Sequence, residues 1–134
     1  MKVLIVDDDF VSRRLIQTVL SHYGFADIDM VVNGSEAVQA VEIANGKGNP
    51  YELIFLDRLM PGAEGAEILK KLRDKETEAG LEREDAARII MVTSVNDPGK
   101  VMDAFKDQCD QYVIKPINEE KIAQAMMKAG IQLG

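Results

Sequence analysis

The chain has one cysteine, one histidine, four prolines and no long apolar run. Each shortage removes a class of protein. A lone thiol, Cys109, cannot close an internal disulfide, so a stapled secreted fold is excluded and a cytoplasmic setting is the simplest expectation. A bilayer-spanning helix needs about 20 apolar residues, and no run here approaches that. No charged-then-apolar leader precedes the first strand pattern, so no targeting segment is expected. Basic residues are the minority, 16 against 23 acidic, for a net charge of -7. Broad nucleic-acid binding needs a basic face, which this balance argues against. No repeat, low-complexity tract or internal linker interrupts the 134 residues. That length suits a single domain, and the apolar fraction of 46% is ordinary for a globular chain with a real core.

What is present is alternation. Val3 to Val6 is a continuous apolar run, as a strand buried on both faces should be. Residues 10–23 then place Val11, Leu15, Ile16, Val19, Leu20 and Tyr23 at helical spacing, with Gly24 as the stop. Residues 27–32 read as a weaker strand. Asn33 is a cap for a helix lined by Ala37, Val38, Val41 and Ala44. Residues 51–56 are a second strongly apolar strand, after which Pro61-Gly62 ends regular structure. A helix carrying Ala66, Ile68, Leu69 and Leu72 follows. The charge-rich stretch from Asp74 to Arg88 reads as helix end plus solvated loop, with Gly80 the break. Strands at 89–93 and 111–114 flank a helix over 97–109 that carries Val101, Ala104, Phe105 and Cys109. Asn118 caps a last helix with Ile122, Ala125, Met126 and Ala129 inward. Strand and helix alternating five times predict an α/β fold, a parallel sheet covered on both faces.

The polar residues that close the apolar runs carry the chemistry. Asp7 and Asp8 close the first, Asp57 the third, Thr93-Ser94 the fourth and Lys115-Pro116 the fifth. In an open parallel sheet these ends converge on the edge where ligands bind. Three carboxylates, a hydroxyl and an ammonium there make a cation site facing a phosphate site. Each piece alone is bland. Adjacent acids are usually a loop or a cap, and Asp9 reads as a helix cap with Arg13 as its partner. Thr-Ser is usually a turn, and Lys-Pro a strand exit. His22 reads as structural, near a helix C-terminus, and Cys109 as core.

In combination, Val6-Asp7-Asp8, Leu56-Asp57-x-x-Met60-Pro61-x-x-x-Gly65, Thr93-Ser94 and Lys115-Pro116 resemble the signature of bacterial response-regulator receiver domains. The likeness covers essentially the whole chain and is to stand-alone, chemotaxis-type (CheY-like) members without an output domain. It implies a flavodoxin-like (βα)5 fold, doubly wound, with five parallel strands in order 2-1-3-4-5 and residues 1–134 as one domain. It implies that Asp57 takes a phosphoryl group from a histidine kinase or a histidine phosphotransfer protein. It implies Mg2+ on Asp8, Asp57 and the Leu59 carbonyl, with Asp7 helping through water. Thr93 and Lys115 would hold the phosphoryl oxygens, Tyr112 would rotate with Thr93, and the Lys115–Pro116 bond would be cis. Output would be a changed face over residues 97–130, offered to a separate protein, with neither nucleic acid nor membrane as direct partner. The departures are Leu59 and Val95, two residues beyond Asp57 and Thr93, where the family is often polar. An apolar pair there is expected to restrict water from an acyl phosphate.

Three rival readings use parts of this pattern. A phosphatase of the haloacid-dehalogenase type also uses an aspartate nucleophile and Mg2+, but needs a second aspartate where Leu59 stands. A receiver-like scaffold would bind partners without phosphorylation and has no need of the intact residue set. A flavodoxin-like redox carrier shares the fold, but Asp7-Asp8-Asp9 would repel a cofactor phosphate at the first turn.

Overall fold

Strand β1 (Lys2–Val6) shows how the core is divided. Successive side chains of a strand point to opposite faces. Leu4 and Val6 join one buried cluster and Val3 and Ile5 the other. A continuous apolar run is therefore what two covered faces require. The computed structural model describes residues 1–57, 59–60, 63–94 and 109–133, without the side chains of 59–60 and 63–66.

After β1 come α1 (Phe10–His22), β2 (Asp27–Val31), α2 (Gly34–Gly46) and β3 (Leu53–Asp57). A two-residue antiparallel ladder follows, β4 (Leu59–Met60) with β5 (Ala63–Glu64). The remaining elements are α3 (Gly65–Glu78), β6 (Arg88–Thr93), β7 (Gln111–Ile114) and α4 (Glu119–Lys128). The five-stranded sheet runs β2-β1-β3-β6-β7, parallel throughout. Counting only its own strands, that is order 2-1-3-4-5, as the resemblance implied. Residues of α2 and α3 cover one face over Leu4, Ile54, Leu56, Ile89 and Met91. Residues of α1 and α4 cover the other over Ile5, Phe55, Ile90 and Val92. Each fully buried aliphatic or Phe side chain contributes about 1.5–3 kcal/mol. No helix among the described residues is long and apolar enough to cross a membrane.

The helix starts follow the sequence. Asp9, Asn33 and Asn118 each cap the next helix by accepting a backbone N–H, from Val11, Glu36 and Lys121 respectively. Gly24 follows α1 with φ +87 and Gly80 follows α3 with φ +76, the left-handed backbone that only glycine adopts at no cost.

Several expectations need correction. Of the apolar residues at helical spacing over 10–23, Val11 is 71% exposed, beside Phe10 at 67%, and Tyr23 is also exposed. At about 100° per residue, Val11 lies roughly half a turn round the helix from Leu20 and so faces away from the buried side, while Tyr23 is the C-cap that closes α1. The stretch Asp74 to Arg88 is not all solvated. Glu76 is 6% exposed, and its carboxylate accepts from Arg73 (2.8 Å) and the Ala87 N–H (2.7 Å). Arg73 also donates to the Ala87 carbonyl (2.8 Å) and to Asp110 (3.3 Å). A buried carboxylate persists when its oxygens are satisfied this way. Regular structure does not stop after Asp57, since residues 59–60 and 63–64 form a short antiparallel ladder. The helix expected over 97–109 lies outside the described residues except for Cys109, which is buried as expected. Burial pushes that thiol up to about 11, so it packs rather than reacts.

Helices α2 and α3 approach closely because Gly34 has no side chain. A Cβ on Gly34 would overlap Ile68 Cδ1 and sit 2.6 Å from its Cγ1, and Ile68 is itself buried. We predict that Gly34→Ala costs about 1–3 kcal/mol by overpacking, only partly offset by alanine's helix preference. Urea unfolding should show a lower midpoint, and G34A with I68V should lose less than the two single losses added. An unchanged midpoint for G34A would contradict the close approach.

Candidate functional site

Register brings the polar strand ends together. Val6 pairs with Leu56, Asp57 with Val92 and Thr93 with Ile114. Asp7, Asp57, Thr93 and Lys115 therefore stand along one edge, at the carboxyl ends of four adjacent strands. The Asp7 N–H continues the ladder to the Val31 carbonyl (3.2 Å), and the Lys115 N–H reaches the Thr93 carbonyl (2.7 Å). The Lys115–Pro116 peptide bond is cis, as expected from the resemblance.

Asp7 is 1% exposed and Asp57 4%, whereas Asp8 is exposed. Carboxylate oxygens of all three lie within 4.8 Å of one another. Lys115 Nζ is 3.5 Å from Asp57 Oδ2 and 3.9 Å from Asp7 Oδ2. Asp7 Oδ1 accepts the Asp9 N–H (2.8 Å). Asp7 Oδ2 is buried with no hydrogen-bond partner among the described residues. Burial is the main force on the Asp7 carboxyl, pushing it from 3.8 up to about 7. The Asp57 charge pushes the same way, while the Asp9 N–H and the Lys115 ammonium oppose it.

These features fit a hard divalent cation. Mg2+ takes oxygen ligands, usually one or two carboxylates with waters and phosphate. Here three carboxylates converge, one oxygen is buried without a donor, and like charge crowds the edge. Residues that could hold such an ion are Asp7, Asp8 and Asp57, with the Leu59 carbonyl following Asp57 in the chain.

Other expected residues fall as follows. Thr93 is buried at the end of β6. Tyr112 is half-buried on β7, in register with Met91, and packs against the cluster that holds Cys109. The side chain of Leu59, and Val95 entirely, lie outside the described residues, as does the 97–108 part of the expected output face. Asp9 is a cap and not a ligand: it accepts from the Val11 N–H (3.0 Å) and from Ser12 (3.0 Å). Those two donors hold its carboxyl below the usual range, the Ser12 hydroxyl contributing most. Its expected partner, Arg13, instead donates to the Asp7 carbonyl (2.7 Å). His22 meets Glu119 at 2.6 Å, joining α1 to α4 at the surface. Lys121, to which no role was attached from sequence, donates to the carbonyls of Ile114 (3.2 Å) and Pro116 (2.9 Å). Only its place in the first turn after Asn118 could have pointed to it.

Comparison with known proteins places this geometry. The family model described as "Response regulator receiver domain" matches residues 3–127. The transcriptional regulatory protein ResD of Bacillus subtilis is 34% identical over 121 residues, covering 90% of this chain and 44% of ResD. The chain thus spans less than half of that relative. The chemotaxis protein CheY of Listeria monocytogenes is 26% identical over 129 residues, covering 96% of this chain and 98% of CheY. Among solved structures, chemotaxis response regulator CheY4 of Vibrio cholerae superposes with a TM-score of 0.71 at 23% identity, covering 96% of this chain and 97% of that one. That likeness concerns the fold.

The raised Asp7 carboxyl makes metal-free stability depend on pH. A folded-state value of about 7 against an ordinary 3.8 means the folded chain holds a proton that the unfolded chain has lost. This contribution is full below the unfolded value and fades as pH rises through about 7. Thermal melts in chelator should therefore show wild type losing stability relative to Asp7→Asn between acid and neutral pH. Mg2+ should raise the wild-type midpoint more at pH 8 than at pH 5, because protons compete for the same oxygens. A midpoint indifferent to Mg2+ at both pH values would remove the cation site.

Proposed function

Because the chain belongs to the response regulator receiver domain family, it is a phosphoacceptor switch of two-component signalling, and we propose that Asp57 is the acceptor. The observation that carries this assignment is the edge itself. Three carboxylates lie within 4.8 Å, and the Lys115 ammonium stands 3.5 Å from Asp57. Asp7 and Asp8 leave Asp57 as the carboxylate that closes the central strand of the sheet.

The donor is a phosphohistidine on a histidine kinase or a phosphotransfer protein. An Asp57 oxygen attacks phosphorus, and the O–P bond forms as the P–N bond breaks. The leaving imidazole keeps the electron pair and takes a proton from solvent. Such transfer needs positioning and charge stabilisation more than covalent help from the protein. Lys115 pairs with the phosphoryl oxygens as they arrive. The Thr93 hydroxyl donates to one of them, a demand that the unmodified carboxylate does not make. Mg2+ bound by Asp7, Asp8, Asp57 and the Leu59 carbonyl would supply charge neutralisation between the acceptor and the incoming group. The chain turns over no separate substrate: it promotes gain and loss of the phosphoryl group on its own Asp57.

Output follows from the difference in hydrogen bonding. Drawing Thr93 toward the phosphoryl group biases the strand end next to Tyr112, which adjusts with it. The changed surface is the face over 97–130, of which 109–130 is described, and a separate protein reads it. Residues 1–134 act as one receiver unit in this reading. A net charge of -7 disfavours direct nucleic-acid contact, and no membrane contact is invoked. A cytoplasmic setting suits the single reduced thiol.

Incubation with acetyl phosphate and Mg2+, followed by intact-mass analysis, tests the assignment. One phosphoryl adduct is expected, dependent on Mg2+ and absent in Asp57→Asn. After donor removal it should decay faster in Leu59→Asn, where a polar side chain admits water. An adduct that survives D57N would move the acceptor elsewhere. No adduct with any donor would favour a scaffold that works unmodified.

A further inference from the structure

Lys115 must reach Asp57 from a turn, and turns hold their shape only when their backbone groups are engaged. The turn between β7 and α4 has few donors of its own, since Pro116 has no N–H. Lys121 supplies what is missing. It sits in the first turn of α4, where its own N–H donates to Asn118 Oδ1 (2.8 Å). From there its ammonium donates to the Pro116 carbonyl (2.9 Å) and the Ile114 carbonyl (3.2 Å). These two carbonyls flank Lys115, whose N–H is fixed from β6 by the Thr93 carbonyl (2.7 Å). The backbone of Lys115 is therefore gripped from both neighbouring elements, and its ammonium projects to 3.5 Å from Asp57.

We infer that Lys121 is a positioning residue for phosphoryl transfer: by bridging the carbonyls of Ile114 and Pro116 it sets the turn from which Lys115 meets the phosphoryl oxygens. The inference rests on the role given to Lys115 and Asp57 above. Charge-assisted hydrogen bonds are roughly twice as strong as neutral ones, so one ammonium on two carbonyls is an effective clamp even at the surface. A shift of about 1 Å at a reacting group can cost on the order of a hundredfold in rate, so a loosened turn is expected to show in the chemistry before it shows in stability.

The test compares wild type, Lys121→Met and Lys121→Arg in the full chain. The rate of labelling by acetyl phosphate at saturating Mg2+ should fall roughly three- to tenfold in K121M, within that geometric ceiling. K121R, which keeps the charge and two donors, should recover most of the rate. The Mg2+-induced rise in melting midpoint should be the same in all three, because no cation ligand is touched. NMR signals of the Lys115 side chain and of the Ile114 and Pro116 carbonyl carbons should move in K121M and stay near wild type in K121R. K121M labelled at the wild-type rate, or K121R as slow as K121M, would overturn the inference. Failure of the Asp57 assignment would look different, as an adduct that survives D57N or as no adduct on wild type. The NMR arm then decides alone, and unmoved Lys115 signals in K121M would reject the clamp.

Discussion

Two carboxylates buried at the end of a parallel sheet are the constraint on which the rest of the structure depends. Asp7 and Asp57 are carried out of water by the same strands that build the core. Burying a charge is costly unless it is paired and hydrogen-bonded. The fold answers with Lys115 at 3.5 and 3.9 Å and with the Asp9 N–H on Asp7. It still leaves Asp7 Oδ2 without a hydrogen bond among the described residues. The site is thus short of electrostatic completion among the described residues. A cation and a phosphoryl group are the completion proposed for that geometry.

The remaining polar contacts serve this edge or the scaffold behind it. Arg13 holds the Asp7 carbonyl, Thr93 holds the Lys115 N–H, and Lys121 holds the carbonyls beside Lys115. At the opposite end of the strands, Arg73 donates to Glu76, to the Ala87 carbonyl and directly to Asp110, and Glu76 accepts the Ala87 N–H, which ties α3 to the start of β6. Lys75 bridges α3 to α2 at Glu42 (2.8 Å). Exposed pairs of that kind contribute little; the buried Glu76 network and the close contact at Gly34 fix α3 more firmly.

Much of this was legible in the sequence, for physical reasons that can be named. Continuous apolar runs ending in acids fixed both the strands and the edge, since burial on two faces leaves no other pattern. The strand at 111–114 and the caps at Asp9, Asn33 and Asn118 came out as read, because a cap is a local device. Burial at element ends was not legible. Val11 is apolar but lies about half a turn from Leu20 on α1, and Tyr23 falls at the C-cap where the helix ends. Glu76 looked like its charged neighbours and is buried, because its partner Ala87 is distant in sequence. Lys121 was legible only as a lysine in the first turn after Asn118, since nothing else local distinguishes a lysine that clamps a turn from one in solvent.

In the proposed reading one edge completes itself with a divalent cation and a phosphoryl group on Asp57. A structure of the chain with Mg2+ and the phosphoryl mimic beryllofluoride tests it most directly. The mimic is expected on an Asp57 oxygen, its fluorines against Lys115 Nζ and the Thr93 hydroxyl, and the cation on oxygens of Asp8 and Asp57. A cation bound without Asp57, or the mimic bound away from it, would contradict the account.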